Sequence, residues 1–362
     1  MDEKESAQLS VYFYHTRLTT ESYEAWKNHD FPGHLLYGAT HFEAAGIHTI
    51  MHRYRYYPSR LRLMLYATRE ILCCKEKFDI LYASSFRGIE PIILLRALGL
   101  FRKPVIIWHH TAVTRSRSKL KECISRFFYR GIDHMFLFSR KLIADSLKTG
   151  KVKPQQMSLC HWGADLPFYD TMMQKFPVPA RSGFISTGKE NRDLDTLLES
   201  FEETGEKLTI YIAHTCGNIN YDTVIARHKV SGNIQIHFAN GVIPEELARE
   251  VMRSQCIVIP CLEFPYTVGL TTLVEAFALG IPVICSRNPN FDMDIDAEHA
   301  GITVPYGDTQ GWADAVDYIV SHPAEAQAMG KNGRRIAEET YNLNHFAQEI
   351  IEILRQYATH IR

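Results

Sequence analysis

Short apolar runs, rich in β-branched and aromatic residues, recur along the 362-residue chain, and each is followed by a longer stretch with helical periodicity. That alternation constrains the fold strongly. Successive parallel strands need a crossover helix between them, so the pattern reads as βα units and parallel sheets. Strands are predicted near 10–15, 48–52, 80–83, 105–109, 135–139 and 157–161, with helices at 33–45, 59–74, 90–98, 118–130 and 141–148. Residues 166–181, LPFYDTMMQKFPVPAR, carry three prolines and no sustained period, and read as an interdomain linker. The pattern then restarts, with strands at 184–187, 208–213, 234–238, 256–260, 282–286 and 302–304. Helices are predicted at 194–204, 244–253, 270–279, 309–321, 324–340 and 345–357. The expectation is an α/β chain of two doubly wound domains: a first domain over 1–165, a linker over 166–181, a second domain over 182–344, and a last helix over 345–362 that returns to the first domain. The length suits two such domains.

The net charge of −1 hides an asymmetry: residues 1–165 hold 25 Lys+Arg against 15 Asp+Glu, and the remainder holds 15 against 26. A cationic first half suits an anionic surface or acceptor, or an attraction between the two halves. The polar, acidic start MDEKESAQLS lacks the basic and apolar segments of a secretory signal, and no apolar run approaches the roughly 20 residues of a membrane span. The eight cysteines, at 73, 74, 123, 160, 216, 256, 261 and 285, have no zinc-ligand spacing. A cytoplasmic protein with reduced thiols is expected.

In open parallel sheets, ligands bind beyond the carboxyl ends of the strands. The loop after the strand at 256–260 runs Pro260-Cys261-Leu262-Glu263-Phe264-Pro265-Tyr266-Thr267-Val268-Gly269-Leu270-Thr271-Thr272 and leads into a helix. Gly269 permits close backbone approach, and the amides of the first turn, with the helix dipole, favour an anion beside Val268, Gly269, Leu270 and Thr271. This is a diphosphate seat. Glu275, one to two turns inside the helix, is either a carboxylate for ribose hydroxyls or a solvated helix residue.

The segment LTTLVEAFALGIPVICS resembles the LxxLLEAMAxGxPVIxS block of the retaining glycosyltransferases of family 4, which have the GT-B architecture. The likeness extends through FISTGKENRDLDTLLESF, NGVIPEEL and AGITVPYGD, covering most of residues 157–341, and the first half in outline. It implies two Rossmann-like domains facing across a cleft, a nucleotide-sugar donor held by the second, and Glu275 as the ribose carboxylate. The family's two glutamates have seven residues between them, but the position eight before Glu275 is Thr267, a candidate sugar-contacting hydroxyl. Gly188, Lys189 and Arg192 occupy the places of the family's phosphate-binding loop, where two cations replace a metal in stabilising the leaving diphosphate; a solvated pair at a helix start is the alternative. His110, favoured over His109, matches a histidine that touches the donor sugar, and Gly33 a reduced form of the glycine-rich first loop. No metal site and no cofactor beyond the nucleotide-sugar co-substrate are implied. Asp292, Asp294 and Asp296 read as a solvated loop and helix cap.

The activity implied is transfer of a hexosyl group, UDP-linked, to a hydroxyl of a lipid or glycan acceptor with retention. The alternatives are a catalytically inactive scaffold of the same shape and a nucleotide-sugar epimerase. The basic helix at 118–130 can lie on an anionic membrane at its inner face or pack on its own sheet. No nucleic-acid-binding module accompanies the basic residues.

Overall fold

The computed structural model describes residues 8–178, 180–188, 190–239 and 244–359. The chain forms two units, one of Met1–Asn28, Gly33–His161 and Leu343–Arg362, the other of His29–Pro32 and Trp162–Asn342.

The first unit is built on six parallel strands: β1 (Leu9–Tyr14), β2 (Ile47–Met51), β3 (Ile80–Ala83), β4 (Val105–Trp108), β5 (His134–Leu137) and β6 (Met157–Leu159). Their order is β2-β1-β3-β4-β5-β6, so the winding reverses between β1 and β3. The crossovers carry α1 (Thr19–Lys27), α2 (Arg60–Leu72), α3 (Glu90–Ala97), α4 (Lys119–Tyr129) and α5 (Arg140–Leu147). Strands β3 to β5 are buried along their whole length, which is why they read as unbroken apolar runs. Trp108 is fully buried, stacks on Phe138 with ring centroids 4.8 Å apart, and donates from Nε1 to Tyr82 Oη at 2.7 Å. The Tyr82 hydroxyl donates in turn to the Tyr37 carbonyl at 2.7 Å, so the polar atoms of these two large buried rings are paired.

Residues 33–45 depart from the predicted α-helix. They form two 3₁₀ turns, Gly33–Leu36 and Ala39–His41, separated by Tyr37 and Gly38 with φ of +53° and +80°. The reason is packing. A Cβ on Gly38 would stand 2.9 Å from Ile350 Cδ1 of the last helix, α13 (Leu343–Thr359), so close approach and a left-handed backbone both require glycine there. Through its buried Phe346, Ile350 and Leu354, α13 is part of the first unit. The Tyr357 hydroxyl donates to the Asp133 carbonyl at 2.7 Å.

The second unit has its own parallel sheet of β7 (Phe184–Ser186), β8 (Leu208–Ile212), β11 (Ile234–Phe238), β12 (Cys256–Ile259), β13 (Val283–Ser286) and β14 (Gly301–Val304), with a small hairpin of β9 (Thr215–Cys216) and β10 (Ile219–Asn220) beside it. The order β11-β8-β7-β12-β13-β14 reverses between β7 and β12. Its helices are α6 (Leu166–Lys175), α7 (Leu194–Thr204), α8 (Tyr221–Ile225), α9 (Pro244–Arg253), α10 (Leu270–Ala278), α11 (Thr309–Ser321) and α12 (Pro323–Glu339). One face of the sheet is closed by Leu197, Phe201, Trp312 and Val316 of α7 and α11.

Helix α6 occupies most of the segment predicted as linker. Asp165 caps it by accepting from the Phe168 amide at 3.3 Å, and Pro167 sits in the first turn, where a missing N–H costs nothing. A proline that reads as a breaker in sequence here starts a helix, which buries Phe168, Tyr169 and Met172 and packs on α9 and α10. On the other side of α10, α12 approaches closely at two glycines: a Cβ on Gly333 would lie 2.5 Å from the Phe277 ring, and one on Gly330 2.3 Å from the Gly280 carbonyl.

Burial lowers the pKa of five histidines of the first unit, His109 among them. Burial pushes His52, His110 and His134 down to about 4 and His15 to about 3. The unfolded chain takes up these protons near pH 6.5 and the folded chain only near 4, so their stabilisation is complete above 6.5 and is lost as pH falls through that window. Thermal denaturation of the chain at pH 7.5 and at pH 5 should therefore show a lower Tm at pH 5, the buried His15, His52 and His134 each contributing about 1–2 kcal/mol to the loss. A Tm that holds or rises on acidification would contradict this burial.

Candidate functional site

Where the winding of a parallel sheet reverses, the loops leaving the two central strands diverge and open a crevice at their carboxyl ends. In the second unit those strands are β7 and β12. The loop after β7 and the loop after β12 are the two that carry most of the predicted residues.

The two loops are stitched together. The Leu262 amide donates to the Asn191 carbonyl at 2.9 Å, the Asp193 amide to the Pro260 carbonyl at 3.2 Å, and Arg192 pairs antiparallel with Cys261 in an isolated bridge. Asn191, at φ +49°, donates from Nδ2 to Tyr266 Oη at 2.5 Å. Behind the second loop, buried Asn288 and Asn290 donate to the Tyr266 carbonyl at 3.0 and 3.4 Å, and the Asn288 amide group also reaches the Val268 carbonyl.

Arg192 lies at the centre of the stitching. It is 4 % exposed; Nε and Nη2 both donate to the Thr187 carbonyl at 3.1 and 3.0 Å, Nη1 to the Glu190 carbonyl at 3.0 Å, and Nη2 to Thr272 Oγ1 at 3.1 Å. Gly188, at φ +92°, wraps around the guanidinium so closely that a Cβ would stand 2.1 Å from Nη2. The expected phosphate-facing cation is therefore a buried brace of the loop, because backbone carbonyls turned inward by the tight bend capture every nitrogen of its fork. Lys189, the companion cation of the prediction, lies outside the described residues.

After the second loop, Gly269 takes φ +91° and serves as N-cap of α10; a Cβ there would meet Ile259 Cγ2 at 2.9 Å. Thr267 and Val268 are buried, and the Thr267 carbonyl accepts the Leu270 amide at 3.2 Å. The amides of Thr271 and Thr272 lie in the first turn, where the helix supplies no carbonyl partner. Helix α10 is buried nearly all round. Its half-buried positions are Thr271 and Glu275, four residues apart and hence on one face. Burying everything else on α10 fixes which way that face points.

Glu275 is also held from α6. The buried Tyr169 hydroxyl donates to the Glu275 carboxylate, and burial, followed by that negative charge, raises the phenol well above its ordinary value. Tyr169 escapes sequence reasoning because it falls in a proline-bearing stretch without apolar periodicity. Asn191, Tyr221, Asn288 and Asn290 escape it as well, since their roles exist only once distant loops meet; the Tyr221 hydroxyl, for instance, accepts the Arg192 amide at 2.8 Å. Glu263 is exposed in the second loop. Asp294 accepts the Ala297 amide at 3.0 Å, and Asp296 accepts the Thr303 amide at 2.9 Å and the Thr303 hydroxyl.

In the first unit, His109 is buried with both ring nitrogens engaged, by the Thr111 carbonyl at 2.5 Å and Tyr129 Oη at 2.9 Å. Its neighbour His110 is part-exposed beyond the end of β4, stacks on Phe138 at 5.4 Å, and places Nε2 3.1 Å from Tyr37 Oη. Gly33 is buried at the head of the first 3₁₀ turn.

Residues 178–336 match the family model described as glycosyl transferases group 1. A D-inositol 3-phosphate glycosyltransferase of Saccharomonospora viridis is 32% identical over 88 residues, 24% of this chain and 20% of that protein. An MMP alpha-(1->4)-mannosyltransferase of Mycolicibacterium hassiacum is 27% identical over 120 residues, 33% of this chain and 28% of that one. The similarity thus spans 20% to 28% of the length of these curated relatives. Among solved structures, sucrose-phosphate synthase from Thermosynechococcus elongatus superposes with a TM-score of 0.72 at 15% identity, covering 98% of this chain and 100% of that one. Anabaena HepE in complex with UDP and glucose gives 0.65 at 13% identity, covering 96% and 99%. The fold is GT-B, with two parallel six-stranded sheets.

Removing the brace should be costly. Arg192→Met leaves the Thr187 and Glu190 carbonyls without donors and should lower stability by about 1–3 kcal/mol in urea denaturation. Arg192→Lys should recover only part of this, because an ammonium cannot span the same acceptors. Full recovery by lysine would show that charge alone, without the fork, holds the loops.

Proposed function

Because residues 178–336 match the family model described as glycosyl transferases group 1, we propose that the chain is a glycosyltransferase that moves a hexosyl group from a nucleotide diphosphate sugar, UDP-linked, to a hydroxyl of a lipid or glycan acceptor, with retention and without a metal. The observation that carries the reading is the N-terminus of α10 at the β7/β12 switch point, with Glu275 on its half-buried face. The first-turn amides beside Val268, Gly269, Leu270 and Thr271 receive the diphosphate, and Glu275, steadied by Tyr169, accepts from the ribose hydroxyls. HepE, bound to UDP and glucose, supports the choice of nucleotide.

The reaction follows from where charge develops. The bond from the anomeric carbon to the diphosphate oxygen breaks as the acceptor oxygen bonds to that carbon on the same face, and the acceptor's proton passes to the departing phosphate oxygen. The α10 dipole and amides, with Lys189, stabilise the negative charge that appears. Arg192 acts through the loop it braces. Thr267 and His110 are assigned to sugar hydroxyls; held neutral, the imidazole both donates and accepts. Water must be kept from the anomeric carbon, since it competes as acceptor.

Calorimetric titration with UDP and UDP-hexoses tests the donor site. Glu275→Ala should weaken binding about tenfold or more and Tyr169→Phe by less, while added manganese or magnesium should leave transfer rates within about twofold. Binding without either slow UDP release or transfer to any acceptor would favour the scaffold reading, and restoration of a lost activity by manganese would overturn the metal-free chemistry.

The acceptor side is read from charge and exposure. Helix α4 has no buried residue, and Leu120 and Ile124, one turn apart, are 71% and 55% exposed among Arg117, Lys119, Lys121 and Arg126. No helix among the described residues is long and apolar enough to cross a membrane. A surface that lies on anionic lipid fits both facts, and a lipid-borne acceptor would be met there. Cosedimentation with phosphatidylglycerol vesicles should exceed that with phosphatidylcholine, fall with salt, and drop in Leu120→Ser/Ile124→Ser. Equal partition to neutral vesicles would count against it.

A further inference from the structure

A group of metal-binding side chains lies outside everything used above. In the first unit, just past the end of β6, His161 faces His345 and Glu349 of α13. One ligand atom from each of the three lies within 4.8 Å of the others. His161 Nδ1 is 2.6 Å and His345 Nε2 3.4 Å from Glu349 Oε1, and the two imidazole rings are 5.7 Å apart.

The arrangement has the features of a ligand set held in place. His345 and Glu349 are four residues apart on a 17-residue helix, so they project from one face one turn apart. The other carboxylate oxygen, Glu349 Oε2, accepts the His161 backbone amide at 2.8 Å, which fixes the carboxylate while Oε1 faces the rings. Two imidazoles with one carboxylate suit zinc, whereas calcium and magnesium prefer oxygen alone.

We propose that His161, His345 and Glu349 form a zinc(II) site that clips the start of α13 to the end of β6, with water completing a tetrahedron. Bonds of about 2.0–2.1 Å put tetrahedral ligand atoms roughly 3.3 Å apart, so the His161–Glu349 hydrogen bond opens by under about 1 Å as its proton leaves and the metal enters. The location gives the clip its purpose. The chain passes from the first unit to the second after His161 and returns before Leu343. Immediately beyond, the two passing segments run side by side, with the Ala164 amide donating to the Tyr341 carbonyl at 2.9 Å and Gly163 so close to Asn342 that a Cβ would stand 2.2 Å from its carbonyl. Zinc at the three side chains joins the same two segments on the side of the first unit.

The test uses the full chain, stripped with a chelator, desalted, and titrated with zinc against a competing chromophoric chelator; no donor or acceptor is present, so its outcome is separate from that of the transferase reading. One equivalent should bind with a Kd in the micromolar range or tighter. His345→Ala and Glu349→Gln should each weaken it at least tenfold, and Cys73→Ser/Cys74→Ser should leave it unchanged. X-ray absorption at the zinc edge should show a nitrogen and oxygen shell without sulfur, and zinc should slow amide exchange in the first turns of α13 in the unmodified chain but not in His345→Ala. Absence of stoichiometric zinc, undiminished binding in His345→Ala, or sulfur in the shell would each overturn the assignment.

Discussion

One buried guanidinium braces the loop that lines the crevice of the second unit. Two loops leave neighbouring strands at the point where the winding reverses, and nothing in the strands themselves ties the loops together. Backbone bonds such as Leu262 to Asn191 and Asp193 to Pro260 do so, and Arg192 sets the bend of the first loop from inside by drawing the Thr187 and Glu190 carbonyls onto its planar fork while reaching Cys261 and Thr272 across from it. A burial of charge that would be costly without partners is tolerated because each nitrogen has one. The consequence is that the backbone on both sides of the crevice is held in one arrangement by bonds of the protein itself.

The same logic of fixing by burial governs α10. A helix apolar on nearly every side has one way to sit, so the two positions left half-buried, Thr271 and Glu275, are oriented by the packing of all the others. That packing depends on neighbours remote in sequence. Gly330 and Gly333 let α12 come close from one side, and α6 supplies the Tyr169 hydroxyl to the Glu275 carboxylate from another. The carboxylate therefore has a set orientation as well as a set location, and a phenol in low dielectric is a strong donor to an anion.

The first unit shows how a similar sheet is adapted to a different end. Its winding reverses between β1 and β3, yet the segment after β1 leads to α1 and then into 3₁₀ turns whose geometry is dictated by α13. Position 38 takes glycine both because its φ is +80° and because Ile350 of α13 occupies the space a side chain would need. The return of the chain's last helix thus reshapes a region near the start, and the ordering of Tyr37 beside His110 follows from it.

The alternation of apolar runs with helical periods determined by itself that the chain forms two parallel sheets, since strands buried on both faces must be apolar throughout and crossovers must be helical. The amino-acid sequence also located the start of α10, because Gly269 before an apolar helix is a local signal that needs no partner. What it left to the tertiary structure was every feature made by residues far apart along the chain. Pro167 carries the same local preference whether it breaks a linker or opens α6, and only burial of Phe168, Tyr169 and Met172 decides between them. Arg192 is a cation in either setting, but whether it faces solvent or is enclosed depends on Pro260, Cys261 and Thr272 arriving around it. Local propensity writes the elements; close packing, which no single segment contains, assigns the roles.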